Sequence, residues 1–113
     1  MKEQWAEGFS GAITVCDANG AVLGMNGRAA EAFAKDGGRT LIGKSLFDCH
    51  PEPARGKLKD LLRERRTNVY TIEKRGVKKL ICQAPWFAGE DFHGLVEISI
   101  EIPDDIPHFV RKD

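Results

Sequence analysis

Residues 92–102 read FHGLVEISIEI. Val96, Ile98, Ile100 and Ile102 alternate with Glu97, Ser99 and Glu101, the two-residue period of a strand with its apolar face buried and its polar face wetter. Upstream, residues 77–87 (VKKLICQAPWF) form a second extended run. Ala88-Gly89-Glu90-Asp91 between them is short enough to fold the pair into an antiparallel hairpin. The alternation predicts a central strand, and everything else in the chain has to cover the sheet built around it.

A chain of 113 residues has room for one domain with one real core. Apolar residues make up 42% and charged residues 30%, a soluble globular composition rather than a disordered one. Lys+Arg 17 balances Asp+Glu 17, so no overall field collects phosphate and a dedicated nucleic-acid binder is excluded. Locally the balance breaks: residues 52–66 are rich in Arg and Lys, and residues 90–105 carry Asp and Glu alone. Such runs read first as solvated faces; the sharper reading is self-association of basic on acidic patches. Cys16, Cys49 and Cys82 show no CxxC spacing and follow no signal peptide, which predicts reduced thiols in a cytoplasmic protein. No apolar run approaches the roughly 20 residues that span a bilayer.

Trp5 and Phe9, four apart, would lie on one side of a short N-terminal helix and need an apolar surface to dock on. Residues 11–17 (GAITVCD) and 21–25 (AVLGM) flank Ala18-Asn19-Gly20. Asn-Gly supplies the positive φ values of a tight hairpin turn, so these are the first two strands. Asn26 stands as a helix cap before residues 28–35, and Gly37-Gly38 ends that helix with Phe33, Ala29 and Ala30 facing inward. Residues 41–48 predict a loop and one helical turn burying Leu46 and Phe47. Pro51 and Pro53 suit a first turn, after which Ala54, Leu58, Leu61 and Leu62 line one side of the longest helix, through Arg66. Residues 67–74 (TNVYTIEK) return to strand, and Arg75-Gly76 turns into the C-terminal hairpin. The division is an N-terminal cap helix over 1–9, a domain over 10–102 and a tail over 103–113.

That order resembles the PAS domain. Asp17 with Asn19-Gly20 resembles its strand-turn-strand opening, and Asn26 before Ala29-Ala30 resembles the Asn that caps its C helix. Leu41-Ile42-Gly43-Lys44 resembles the segment ahead of its short E helix. Cys49-His50-Pro51 at the start of the F helix, and Phe92, Gly94, Leu95, Val96, Glu97 and Ile98 in the last strand, are similar to a variant group found in small prokaryotic proteins. The resemblance implies an α+β fold: a five-stranded antiparallel sheet in the order 2-1-5-4-3 with helices across one face. It also implies a pocket between sheet and helices, and a homodimer made by the N-terminal helix and the outer face of the sheet. By position the pocket draws on Ile13, Val15, Met25, Phe33, Leu46, Phe47, His50, Leu61, Tyr70, Ile72, Leu80, Cys82, Val96, Ile98 and Ile100. The expected dimer surface is Trp5, Phe9, Trp86 and Phe92.

Cys49-His50-Pro51 is the one cluster that suggests chemistry. The imidazole of His50 is a candidate haem ligand, and an adjacent thiolate could bind metal or sense redox. Neighbours in one helical turn point about 100° apart, however, so Cys49 and His50 do not easily share an ion; the plain alternative is a brace at the helix start and a small buried hydrophobe. Zinc needs about four ligands, and Cys16, Cys49, His50, Cys82, His93 and His108 show no paired spacing. Asp48-Cys49-His50 holds the residue types of a cysteine hydrolase in the wrong geometry, and no glycine motif cradles phosphate. The expectation is a non-enzymatic sensory module that binds a small molecule or a protein partner, set against two alternatives: a structural dimerisation domain without ligand, and a haem or redox sensor using His50 or Cys49.

Overall fold

In the computed structural model, which describes residues 1–113, the C-terminal strand β5 (Asp91–Glu101) pairs antiparallel with both β1 (Ala12–Asp17) and β4 (Val77–Ala88). With β2 (Val22–Met25) and β3 (Asn68–Lys74) at the edges, the five strands form one sheet in the order β2-β1-β5-β4-β3. The last segment of the chain is therefore its central strand, as the alternation predicts.

The turns are made differently from one another. Arg75 (φ 54°) and Gly76 (φ 79°) both take positive φ, the requirement of the tight two-residue hairpin closed by the Lys74–Val77 pair. At the first hairpin only Gly20 has positive φ, and Asn19 does not, so the two-residue Asn-Gly turn is corrected to a wider one. Asp17 holds it: its Oδ1 accepts from the Asn19 and Ala21 amides, both at 2.9 Å.

Helices occupy the connections. Asn26 caps α2 (Gly27–Ala32), which is shorter than expected because the chain tightens into a 3-10 turn at Ala34–Asp36. Further 3-10 turns at Gly38–Leu41 and Leu46–Cys49 lead to α3 (Ala54–Glu64), where Leu58, Leu61 and Leu62 are buried on one side. The N-terminal helix α1 (Gln4–Glu7) is a single turn, tied down by Asn26. The Asn26 side chain is fully buried and uses its whole hydrogen-bonding capacity. It accepts from the amides of Ile13 and Ala29 (2.9 and 3.0 Å) and donates to the carbonyls of Ala6 and Gly11 (both 2.9 Å).

Register fixes which side of each strand meets the helices. Cys16 and Leu95 are paired neighbours and share the core with Val22, Met25, Ala29, Leu41, Leu46, Leu58, Leu61 and Leu62. Because successive residues point to opposite faces, Glu97, Ser99 and Glu101 lie on the same side as Leu95, while Val96, Ile98 and Ile100 lie on the other. The helix-facing surface of β5 is thus its polar one beyond Leu95, and its apolar ladder points outward.

Candidate functional site

Across the helix-facing side runs one transverse row. Thr14 on β1 is paired with Glu97 on β5, Glu97 with Gln83 on β4, and Gln83 with Asn68 on β3. Asn68 Nδ2 donates to Gln83 Oε1 and Gln83 Nε2 donates to Glu97 Oε2, each at 3.0 Å, so two neutral amides orient one carboxylate. The row next to it toward the first hairpin, Cys16, Leu95 and Pro85, is apolar and belongs to the core end of the sheet. A packed core would not place four polar side chains abreast beneath its helices without filling the space above them. The space is open: a cavity of about 400 Å³ between the sheet and α2 reaches Thr14, Phe33, Ile72, Ser99 and Glu97. A second, of about 370 Å³, lies toward α3 and reaches His50, Leu58, Tyr70, Gln83 and again Glu97. Glu97 is the charged side chain common to both.

His50 Nδ1 stands 2.7 Å from the Leu46 carbonyl oxygen, an arrangement that requires a proton on Nδ1 and leaves Nε2 as an acceptor when the ring is neutral. Burial, and secondarily the Glu97 charge, push the Tyr70 phenol up. Burial also pushes the Cys49 thiol up, with Asp36 adding to the effect, and Cys49 Sγ donates to the Leu46 carbonyl at 3.4 Å. A raised thiol is the opposite of what a redox or metal-binding cysteine needs. Haem fits poorly as well: a flat apolar macrocycle beside His50 would lie against Lys57, Asn68, Gln83 and Glu97, whose polar groups it could not satisfy.

The structure divides the expected pocket residues. Phe33, His50, Tyr70 and Ile72 line the two cavities, Met25, Leu46 and Leu61 are buried in the core, and Phe47 lies under the Lys59 ammonium on a separate shallow groove. Ile13, Val15, Leu80, Cys82, Val96, Ile98 and Ile100 are corrected to the outer face. Ile13 and Cys82 flank Ile98, Val15 flanks Val96 and Leu80 pairs with Ile100, all in the register opposite to Cys16 and Leu95. The expectation took the apolar face of β5 as the covered one. Thr14, Gln83, Asn68, Glu97 and Ser99 were missed for the same reason, and the signal that could have found them is the polar half of the alternation itself.

The aromatic residues divide too. Trp5 is 72% exposed and Phe9 is partly so. Trp86 is on the outer side, its Nε1 donating to the Cys16 carbonyl at 3.0 Å with its ring stacked on His93. Phe92 is corrected to the inner side: a bulge between Trp86 and Phe87 shifts the register, so Phe92 packs against the core with Arg65 above its ring.

The family model described as the PAS fold matches residues 6–66, more than half of the chain. The chain belongs to the PAS-fold family. Among solved structures, the C-terminal domain of a Streptococcus mutans protein superimposes with a TM-score of 0.69 at 19% identity, over 85% of this chain and 78% of that one. The PAS domain of BvgS from Bordetella pertussis gives 0.64 at 19% identity over 88% and 82%. The PAS domain of nitrogen regulation protein NR(II) from Vibrio parahaemolyticus gives 0.59 at 15% over 87% and 94%. No curated protein matches the sequence. No helix is long and apolar enough to cross a membrane.

Proposed function

We propose that this PAS module senses a signal by admitting a small polar molecule to the cavities on either side of Glu97, and passes it on through the outer face of β5. Membership of the PAS-fold family and likeness to solved domains of sensor histidine kinases support the sensing role, and the transverse row from Thr14 to Asn68 carries the ligand reading. A ligand that bridges the sheet to α2 or α3 binds one arrangement of those helices better than another, which is what a population shift requires.

The test is a thermal-shift screen of polar metabolites on the wild type and on Ser99→Leu, which puts an isobutyl group into the larger cavity. At least one compound should raise the melting temperature of the wild type and fail to do so for the variant. If no compound does, with both proteins folded, the ligand reading falls.

A second reading, self-association without ligand, is favoured by the outer face. Val15, Leu80, Ala84, Val96, Ile98 and Ile100 form an apolar ladder that is only half-buried, and the rings of Trp5 and Phe9 stand exposed on the N-terminal segment. The partner proposed for it is a second copy of the chain, and the two readings are compatible.

A further inference from the structure

The larger cavity collects charged side chains of both signs from three elements: Arg28 and Glu31 on α2, Lys79 on β4, and Glu97 and Glu101 on β5. None of the five belongs to an ion pair. Every ion pair in the structure lies elsewhere, joining the N-terminal amine and Arg39 to Glu7 and linking Asp60, Arg63, Glu64 and Arg66 at the end of α3. Lys79 and Glu101 are direct cross-strand neighbours, a placement that favours pairing, and they too remain apart.

The groups differ in depth. Arg28, Glu31 and Glu101 are exposed at the rim, whereas Glu97 on the central strand and Lys79 on its neighbour β4 are half-buried. One Glu97 oxygen takes the Gln83 amide; no protein donor takes the other. Thr14 beside it is 5% exposed and its hydroxyl enters no side-chain hydrogen bond, although no fully enclosed polar atom is left without a partner, so that hydroxyl opens on the cavity. A carboxylate acceptor beside a free hydroxyl on β5 and β1, with Lys79 on β4 and Arg28 at the rim as separate cations, is complementary to a molecule carrying an ammonium at one end and an acid at the other.

Resting on the ligand reading above, we infer that the occupant is a small zwitterion of the free α-amino-acid type, its ammonium on Glu97 and Thr14 and its carboxylate toward Arg28 and Lys79. A simple cation would leave Arg28 and Lys79 unmatched and repelled. A simple anion would meet three carboxylates. A neutral polyol can hydrogen-bond to these groups but leaves their charges uncompensated. About 400 Å³ is within the range of small-molecule sites.

The experiment is calorimetry and thermal shift on the full chain with single L-amino acids at about 5 mM, each binder then repeated as its methyl ester and its N-acetyl derivative, with putrescine and succinate as single-sign probes. At least one amino acid should raise the melting temperature by about 2 °C or more, and both blocked derivatives should bind at least about tenfold more weakly. Glu97→Gln should lose at least about tenfold for the amino acid, and Arg28→Ala should weaken the amino acid but not its methyl ester. Arg28 is exposed, so its variant keeps the test open if Glu97→Gln does not fold. An N-acetyl derivative that binds as well as the parent, or an Arg28→Ala protein that still prefers the parent over its ester by the wild-type ratio, overturns the inference. Binding of putrescine or succinate alone, abolished by Ser99→Leu, also overturns it while leaving the cavity as a ligand site; no binding by any compound, the polar library included, removes both.

Discussion

Asn26 shows how much one side chain can organise. Its four hydrogen bonds join α1, the approach to β1, β1 itself and α2, at a point with no access to water that could replace them. Asn26→Ala leaves two amides and two carbonyls without their partner, and is expected to cost about 3 kcal/mol in urea unfolding and to loosen the N-terminal turn. A loss below about 0.5 kcal/mol would contradict this account. The Glu7 carboxyl is exposed and yet held down to about 2 from 4.5, first by its hydrogen bond with Arg39 and then by the N-terminal amine. A carboxyl lowered on folding stabilises the fold above its unfolded value, and that contribution drains away as pH falls from about 4.5 through about 2. An NMR titration should find the Glu7 midpoint near the lower figure, and Arg39→Ala should move it up toward the ordinary carboxylate range.

At the scale of elements, β5 was legible in its period and illegible in its phase. The two-residue alternation of 95–102 says that the two sides of the strand differ; it does not say which is covered, because an apolar face can be buried against helices or turned outward. Tyr70 and Ile72 line the cavities because β3 is an edge strand whose helix-facing side carries its large residues. The Asn26 cap and the buried side of α3 were readable because capping and helical spacing are local; the end of α2 was not, because the chain tightens into a 3-10 turn before Gly37. The bulge near Gly94 was not readable either, since it lies in the pairing of β4 with β5 and the strand there runs close against β1. A Cβ on Gly94 would lie 2.0 Å from the Cys16 carbonyl oxygen, at φ 153°. Gly94→Ala should therefore cost about 3 kcal/mol or more and release the Trp86 indole, read as a change in its fluorescence. A variant with unaltered stability would mean that the strands can part there at little expense.

For the molecule as a whole, the sheet has two unlike surfaces with separate consequences. The helix-facing one ends in the two cavities, and the outer one presents an apolar ladder beside the exposed Trp5 ring. If copies of the chain associate through that surface, Trp5→Glu should shift light-scattering mass toward the monomer without changing the melting curve of the isolated fold. Unchanged mass would remove the N-terminal contact from the interface. Because β5 carries both surfaces, a scan of single substitutions along residues 95–101 should sort by parity: odd positions alter what the interior accepts, even positions alter what the exterior touches. One strand then holds two interleaved alphabets, and a shift of its register by a single residue would exchange them wholesale.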